Sequence, residues 1–324
     1  MIFPTETVYG LGADFGNKKA LERLKEVKRR SEDKPFSVMI DKPTKILHLT
    51  SYNNPALYKL INKFWPGPLT VIVPAKDSQG TWGIRVPDHA VALRLVAHSQ
   101  CLLAAPSANV EGQPSPTSCQ EALKDLDGLV DVALDAGSCR LGVPSTIVDF
   151  TVGTPTVSRE GSVSGQEVHR IIKTKTILFV CTGNSCRSVM AEYLLKKVLG
   201  PKEDVEILSA GTGVFLRSSA SAETMEILKK EGMDASAHES RSVTDLLLKK
   251  ADLILVMTRQ HRQQVLEIAP EIEKRVYLLK EFAHLPKGSE SDLDIPDPIG
   301  KPSDVYEGCL SVIKEAIQRI VKII

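Results

Sequence analysis

Eight consecutive residues, Cys181-Thr-Gly-Asn-Ser-Cys-Arg-Ser188, place a thiol and a guanidinium at a Cys-x5-Arg spacing. The apolar run Ile177 to Val180 reads as a buried strand that ends at Cys181, and Met190, Leu194 and Val198 recur at helical spacing just beyond Ser188. A strand-to-helix loop of this kind turns successive backbone N–H groups inward at a helix N-terminus, forming a nest for an anion the size of phosphate. The same donors, together with Arg187, favour thiolate over thiol at Cys181. The expected chemistry is attack of sulfur on phosphorus. Cys181 is the nucleophile, and Arg187 offers a planar fork to two equatorial phosphoryl oxygens. Thr182, Gly183, Asn184, Ser185 and Cys186 form the cradle. The Ser188 hydroxyl is expected to donate to the sulfur and ease its departure. The leaving group needs a proton, and Asp297, in the proline-stiffened run Asp294-Ile-Pro-Asp297-Pro-Ile-Gly300, is the favoured donor, with Asp292 and Asp294 as competitors. The spacing alone fits a core cysteine and a solvated arginine equally well; the strand before, the helix after and the polar loop residues favour the nucleophile.

The amino-terminal half shows no cysteine or histidine constellation, and its chemistry must come from cations and hydroxyls. Lys28, Arg30 and Lys34 lie between a helical pattern and a strand pattern, Ser107 and Asn109 follow the run ending at Ala105, and Ser145 and Thr146 open another run. Cations at one strand entry and hydroxyls at others suit a triphosphate and a small polar substrate. A solvated helix end with ordinary turn residues gives the same pattern.

These groups must be positioned by two domains, which is what 324 residues allow. The expected fold is α/β throughout: a twisted α/β sheet domain over 1–172, then a doubly wound parallel-sheet domain over 173–324. In the first, strands are expected at Phe36 to Ile40, Leu69 to Val73, Leu102 to Ala105, Val130 to Leu134, Thr146 to Phe150 and Pro155 to Ser158. A helix is expected over Asn17 to Arg30, with Leu21, Leu24 and Val27 on one stripe. In the second, strands are expected at Ile177 to Val180, Val205 to Leu208, Leu253 to Val256 and Val276 to Leu279. These alternate with helices, including Val189 to Leu199, one N-capped by Ser221 and closed before Gly232, and Val305 to Ile323. Hydrophobic residues make up 42% and charged residues 25%, and a net charge of +1 provides no overall field for a polyanion. No leader or membrane span is visible, so a cytoplasmic protein is expected, and six scattered cysteines suggest reduced thiols without a zinc spacing.

Residues 176 to 324 resemble the low-molecular-weight protein-tyrosine-phosphatases through the loop at 181–188, Ser209-Ala-Gly211, Ala251-Asp-Leu-Ile-Leu-Val-Met-Thr258 and Asp297-Pro298. The resemblance implies Cys181 as nucleophile, Arg187 as phosphate binder, Asp297 as general acid and then base, a phosphorylated protein as substrate and no cofactor. Ser185 stands where phosphotyrosine enzymes often carry a bulky apolar residue, and Ile299-Gly300 where they carry tyrosines. The chain is similar to the protein-arginine-phosphatase branch there and in Met257-Thr-Arg-Gln-His261 and Leu279-Lys-Glu-Phe282, which favours phosphoarginine over phosphotyrosine. Cys186 could form a protective disulfide with Cys181, or simply pack.

The amino-terminal half resembles the YrdC-like threonylcarbamoyl-AMP synthases. The motifs are Pro4-Thr-Glu-Thr-Val-Tyr-Gly-Leu-Gly12, Lys28-x-Arg30-x3-Lys34-Pro35, Trp65-Pro-Gly-Pro-Leu-Thr70, Pro106-Ser-Ala-Asn109 with Gly112-x-Pro-Ser-Pro-Thr117, and Ser145-Thr146-x2-Asp149. That family condenses L-threonine, bicarbonate and ATP, with magnesium on the nucleotide. Its product supplies a downstream threonylcarbamoyl transferase acting on tRNA. The resemblance implies that Lys28, Arg30, Lys34, Thr70, Ser107, Asn109, Ser115 and Arg159 serve ATP and that Thr7 and Ser145 hold threonine. The alternative is a first domain that only binds nucleotide or RNA, double-stranded RNA included. Departures from the family pattern are Met1 nearly adjacent to Pro-Thr-Glu-Thr, where roughly twenty residues are usual and a truncated domain edge is expected, Arg29 for a usual glycine, Ser31 for a usual proline and Glu111 for a usual serine.

Overall fold

Alternating packing along Lys175–Cys181 sets the architecture of the carboxy-terminal half: Ile177, Phe179 and Cys181 pack into one apolar cluster, Leu178 and Val180 into another. A strand buried on both faces belongs in the middle of a covered parallel sheet. In the computed structural model, which describes residues 1–30, 35–77, 79–284 and 293–324, Lys175–Cys181 pairs in parallel with Val205–Gly211 on one side and Leu253–Val256 on the other, and Val276–Leu278 completes the row. Helices Arg187–Leu199 and Ser303–Ile320 supply Val189, Met190, Leu194, Ile313 and Ile317 to the Cys181 face. Val265 and Ile272 cover the other. From the central strand the chain steps first to one neighbour and later to the opposite one. That makes the carboxyl end of Lys175–Cys181 the switch point at which such sheets bind ligands.

The helix Ala222–Lys230 starts where Ser221 accepts from Thr224 N–H and ends before Gly232, whose φ of +74° suits a residue without a Cβ. Several boundaries differ from expectation, the strand Val205–Gly211 and the helix Ser303–Ile320 among them. Arg187 is the first residue of its helix, two before Val189, and Leu279 opens a short helix, Leu279–Phe282, instead of closing a strand.

The chain divides into two units, Met1–Ile172 and Lys173–Ile324. The first is built on a seven-stranded mixed sheet in the order Ala13–Asp14, Leu103–Ala104, Ser37–Met39, Thr81–Arg85, Leu69–Pro74, Thr146–Asp149, Thr156–Arg159. The strand expected at 130–134 is a correction: only Ala133 bridges, to Ile2, whose strand Ile2–Phe3 is two residues long and offers no longer edge to pair with. Thr81–Arg85 is a central strand that the apolar-run reading missed, since Thr-Trp-Gly-Ile-Arg is not a continuous apolar run. The helix Lys18–Lys28 is capped by Asn17, which accepts from Ala20 N–H, and closes on Arg29 at a left-handed φ of 52°. That left-handed residue is where a glycine is usual. No helix among the described residues is long and apolar enough to cross a membrane.

Candidate active sites

The phosphate loop is fixed from outside by its carbonyls. Those of Cys181, Thr182 and Ser185 accept from the amides of Thr212, Gly213 and Ser221, and that of Asn184 accepts from His238 Nε2 at 2.8 Å. In a trans peptide the next N–H points the opposite way, which directs the amides of Thr182, Gly183, Ser185 and Cys186 away from these partners and into the loop. Gly211 makes the approach feasible: a Cβ there would lie 2.3 Å from the Thr182 carbonyl oxygen and 2.8 Å from Asn184 N. Asn184 sits at φ 51°, a left-handed conformation that asparagine tolerates better than most residues. Its fully buried side chain offsets the cost by accepting from Arg241 N–H at 2.9 Å and donating to Ser188 Oγ at 3.0 Å and Ser209 Oγ at 2.8 Å.

Those donations order the protons around the nucleophile. Ser188 Oγ accepts from Asn184, so its own proton is available to Cys181 Sγ, 3.0 Å away. Ser209 likewise accepts from Asn184 and donates to the buried carboxylate of Glu192. Arg187 is 3% exposed. Its Nη1 donates to Ile295 O at 3.0 Å, its Nη2 to Thr182 Oγ1 at 3.3 Å and to the Asp297 carboxylate, and its Nε is buried without a partner among the described residues. A guanidinium edge at the loop with an unsatisfied N–H fits a tetrahedral oxyanion. Of the competing acids, Asp294 is committed to capping: its Oδ1 accepts from Arg259 N–H at 2.9 Å, at the start of helix Arg259–Ile268. Asp297 is the acid beside Arg187, and Asp292 lies outside the described residues. Cys186 faces Ser221 Oγ at 3.4 Å and Tyr306 OH at 3.8 Å, and the cysteines are free thiols.

In the first unit a cavity of about 410 Å3 gathers residues from distant motifs. Thr7, Arg30, Thr70, Ser107, Ser145 and Arg159 all line it. Ser145 is their hub: its Oγ lies 2.9 Å from Thr70 Oγ1, and its carbonyl takes Nε and Nη2 of Arg159 at 3.1 and 2.8 Å. Gly161 permits this packing, because a Cβ there would sit 2.1 Å from the Pro144 carbonyl oxygen. Arg30 lies over the Phe36 ring at 5.1 Å, making a flat cationic and aromatic wall. Lys28, Asn109 and Ser115 are not among the lining residues. Lys28 is buried, braces Ser107 O at 2.6 Å and Asn109 Oδ1 at 3.3 Å, and burial followed by the charge of Arg30 lowers its pKa to about 8. Its place corrects the expectation of a cation in the groove, since an amine this deep acts on the loop carrying Ser107. Lys34 and Ser31 lie outside the described residues.

Sequence reasoning missed Arg85. It lines the cavity and forms a buried ion pair with Glu6 at 2.6 Å, while Glu6 Oε2 has no hydrogen-bond partner among the described residues. Burial, followed by the charge of Arg85, lowers the pKa of Arg159. Arg85 and Arg159 thus bring two guanidiniums to one cavity, which suits an anion. The missed signal was the run Thr81–Arg85, which projects alternate residues to one face.

Comparison with known proteins settles the families. Residues 1–161 match the Sua5/YciO/YrdC family, described as telomere recombination, and residues 176–324 match the low molecular weight phosphotyrosine protein phosphatase family. A putative threonylcarbamoyl-AMP synthase of Mycobacterium tuberculosis is 35% identical over 180 residues, covering 53% of this chain and 82% of that one. A protein-arginine-phosphatase of Geobacillus stearothermophilus is 38% identical over 144 residues, covering 44% of this chain and 92% of that one. The chain belongs to both families. The threonylcarbamoyl-AMP synthase of Pyrococcus abyssi is 33% identical over 214 residues, 64% of this chain, and the chain spans 63% of its length. The Sua5/YciO/YrdC unit thus carries the 410 Å3 cavity and the phosphatase unit the loop at Cys181.

Proposed function

We propose that the chain is bifunctional: a cysteine-dependent protein phosphatase in the second unit and a threonylcarbamoyl-AMP synthase in the first. The observation that carries the phosphatase reading is the buried Nε of Arg187, without a partner among the described residues, in the same loop as a Cys181 sulfur 3.0 Å from Ser188 Oγ. The loop amides and the Arg187 fork bind the phosphoryl group, Cys181 thiolate attacks phosphorus, and the bond from phosphorus to the leaving nitrogen or oxygen breaks. Asp297, as the carboxylic acid, protonates that leaving atom. Its carboxylate then takes a proton from water, which attacks phosphorus and displaces the sulfur as Ser188 steadies the departing thiolate. Once phosphate occupies Arg187, Asp297 is released from its ion pair to do this work.

The small hydroxyl residue Ser185 in the cradle and the protein-arginine-phosphatase likeness favour phosphoarginine over phosphotyrosine. Turnover of phosphoarginine and phosphotyrosine peptides at matched concentration tests the preference; faster phosphotyrosine hydrolysis would reverse it.

In the first unit Arg30 and Arg159 face the phosphates of ATP. Thr7 and Ser145 hold threonine, and Arg85 is placed to receive its carboxylate. Asp149 lines the cavity, and among the described residues no group of three or more acidic, histidine or cysteine side chains could cage a metal. This donor set fits magnesium held mainly by nucleotide phosphates, where it would neutralise their charge. The product would pass to a transferase acting on tRNA. Pyrophosphate release that requires both threonine and bicarbonate is the expected result; release without either, or none with both, would contradict synthesis.

A further inference from the structure

Among the buried titratable side chains around the phosphate loop that the mechanism above does not use, His261 stands out because it reaches the Arg187 fork through one hydroxyl. His261, 3% exposed, sits in the first turn of helix Arg259–Ile268 with both ring nitrogens engaged: Nδ1 is 2.9 Å from Thr258 Oγ1 and Nε2 is 2.9 Å from Thr182 Oγ1. Thr182 is a residue of the phosphate loop, and its Oγ1 is 3.3 Å from Arg187 Nη2. We propose that His261 is a positioning residue of the phosphatase, fixing the Thr182 hydroxyl so that it holds the Arg187 fork in its phosphate-binding orientation. The proposal rests on the phosphatase reading and extends it from the loop to a second helix.

Proton bookkeeping gives the chain a direction. Arg187 can only donate, so Thr182 Oγ1 accepts from Nη2 and its own proton goes elsewhere. The acceptor within reach is Nε2, which must then carry no proton, and Nδ1–H donates to Thr258 Oγ1. Thr258 Oγ1 also accepts from His261 N–H at 3.2 Å, which pins the ring to its own helix cap. The groups facing the ring are Arg187, Asp297 and Asp294. Burial, followed by the Arg187 charge, outweighs the two carboxylates and lowers the His261 pKa to about 4, which keeps the ring in the neutral form this chain requires.

The arrangement matters at one moment of the cycle. Nη1 donates to Ile295 O, but Asp297 must leave Nη2 to serve as acid and base. Thr182 is then the remaining partner of Nη2 among the described residues, and a hydroxyl clamped by His261 holds the guanidinium plane where a freely rotating one would not. Displacement of a binding group by a fraction of an ångström is felt most in the transition state.

The test uses the full chain, an aryl phosphate as substrate and vanadate as a probe of phosphate-like binding. His261→Leu is expected to lower kcat about ten- to a hundredfold, with a smaller change in KM and a parallel loss of vanadate affinity. Thr182→Val should do the same, and the double variant should be no worse than either single, because both remove one chain. His261→Gln, which keeps an acceptor near the Nε2 position, should recover most of the rate. Wild-type kcat and vanadate affinity in His261→Leu, or single effects that multiply in the double variant, would overturn the proposal. If His261→Leu fails to fold, Thr182→Val, changed at the loop surface, decides alone: full kcat there refutes it. Turnover by wild type that persists unchanged in Cys181→Ser would instead refute the phosphatase reading, and the positioning role with it.

Discussion

A hydroxyl 3.0 Å from a thiol becomes informative only when its other hydrogen bonds are counted. Ser188 accepts from Asn184, Ser209 accepts from Asn184 and donates to Glu192, and the buried carboxylate therefore sets the direction of every proton up to Cys181. The same accounting makes His261 neutral, with a consequence for stability. Its pKa is about 4 when folded and near 6.5 in an unfolded chain. Between those values the unfolded chain binds a proton that the folded one refuses, so this contribution is full above about pH 6.5 and is lost as pH falls toward 4. Denaturant titrations at pH 7.5 and pH 5 should therefore show wild type losing more stability on acidification than His261→Leu. Equal losses would contradict the burial argument. The placement of Cys181, Arg187 and Asp297 around one loop was legible from residue type and spacing. That of Asp294 was not, because an acid spent on capping Arg259 N–H looks, in sequence, like one free to transfer a proton.

At the scale of elements, two glycine positions carry opposite lessons. Gly211 ends a strand and lies against the phosphate loop, where a Cβ would collide with backbone atoms of Thr182 and Asn184. Gly211→Ala should leave the second unit folded but displace the loop, lowering kcat by about a hundredfold; an aryl phosphatase assay with circular dichroism as the folding control checks this. Arg29, by contrast, occupies a left-handed φ at a helix end with its side chain exposed. Arg29→Gly should raise the stability of the first unit by about 0.5–1 kcal/mol, read as a higher denaturant midpoint; a fall would mean that the arginine side chain contributes contacts. Parallel strands buried on both faces, such as Ile177 to Val180, announce themselves as apolar runs. Thr81–Arg85 did not, being a central strand with polar residues that line a cavity, and Arg85 was lost with it. Lys28 was misplaced for a related reason: spacing puts it beside Arg30, but only the fold determines that its amine points into the protein, toward Ser107 O.

For the molecule as a whole, every residue assigned to phosphoryl transfer lies in Lys173–Ile324, and the residues lining the 410 Å3 cavity lie in Met1–Ile172. Disjoint residue sets predict separable chemistry. Cys181→Ser should abolish phosphatase turnover while leaving threonine-dependent pyrophosphate release at the wild-type rate; a parallel loss of both would contradict separate sites. The central claim, that phosphorus passes through a bond to Cys181, is tested most directly by rapid acid quench of an Asp297→Asn chain mixed with phosphopeptide, followed by peptide mapping. The second step should be slow enough in that variant for phosphate to be found on the peptide containing Cys181 and nowhere else. Phosphate transferred to any other residue, or wild-type turnover retained by Cys181→Ser, would contradict it.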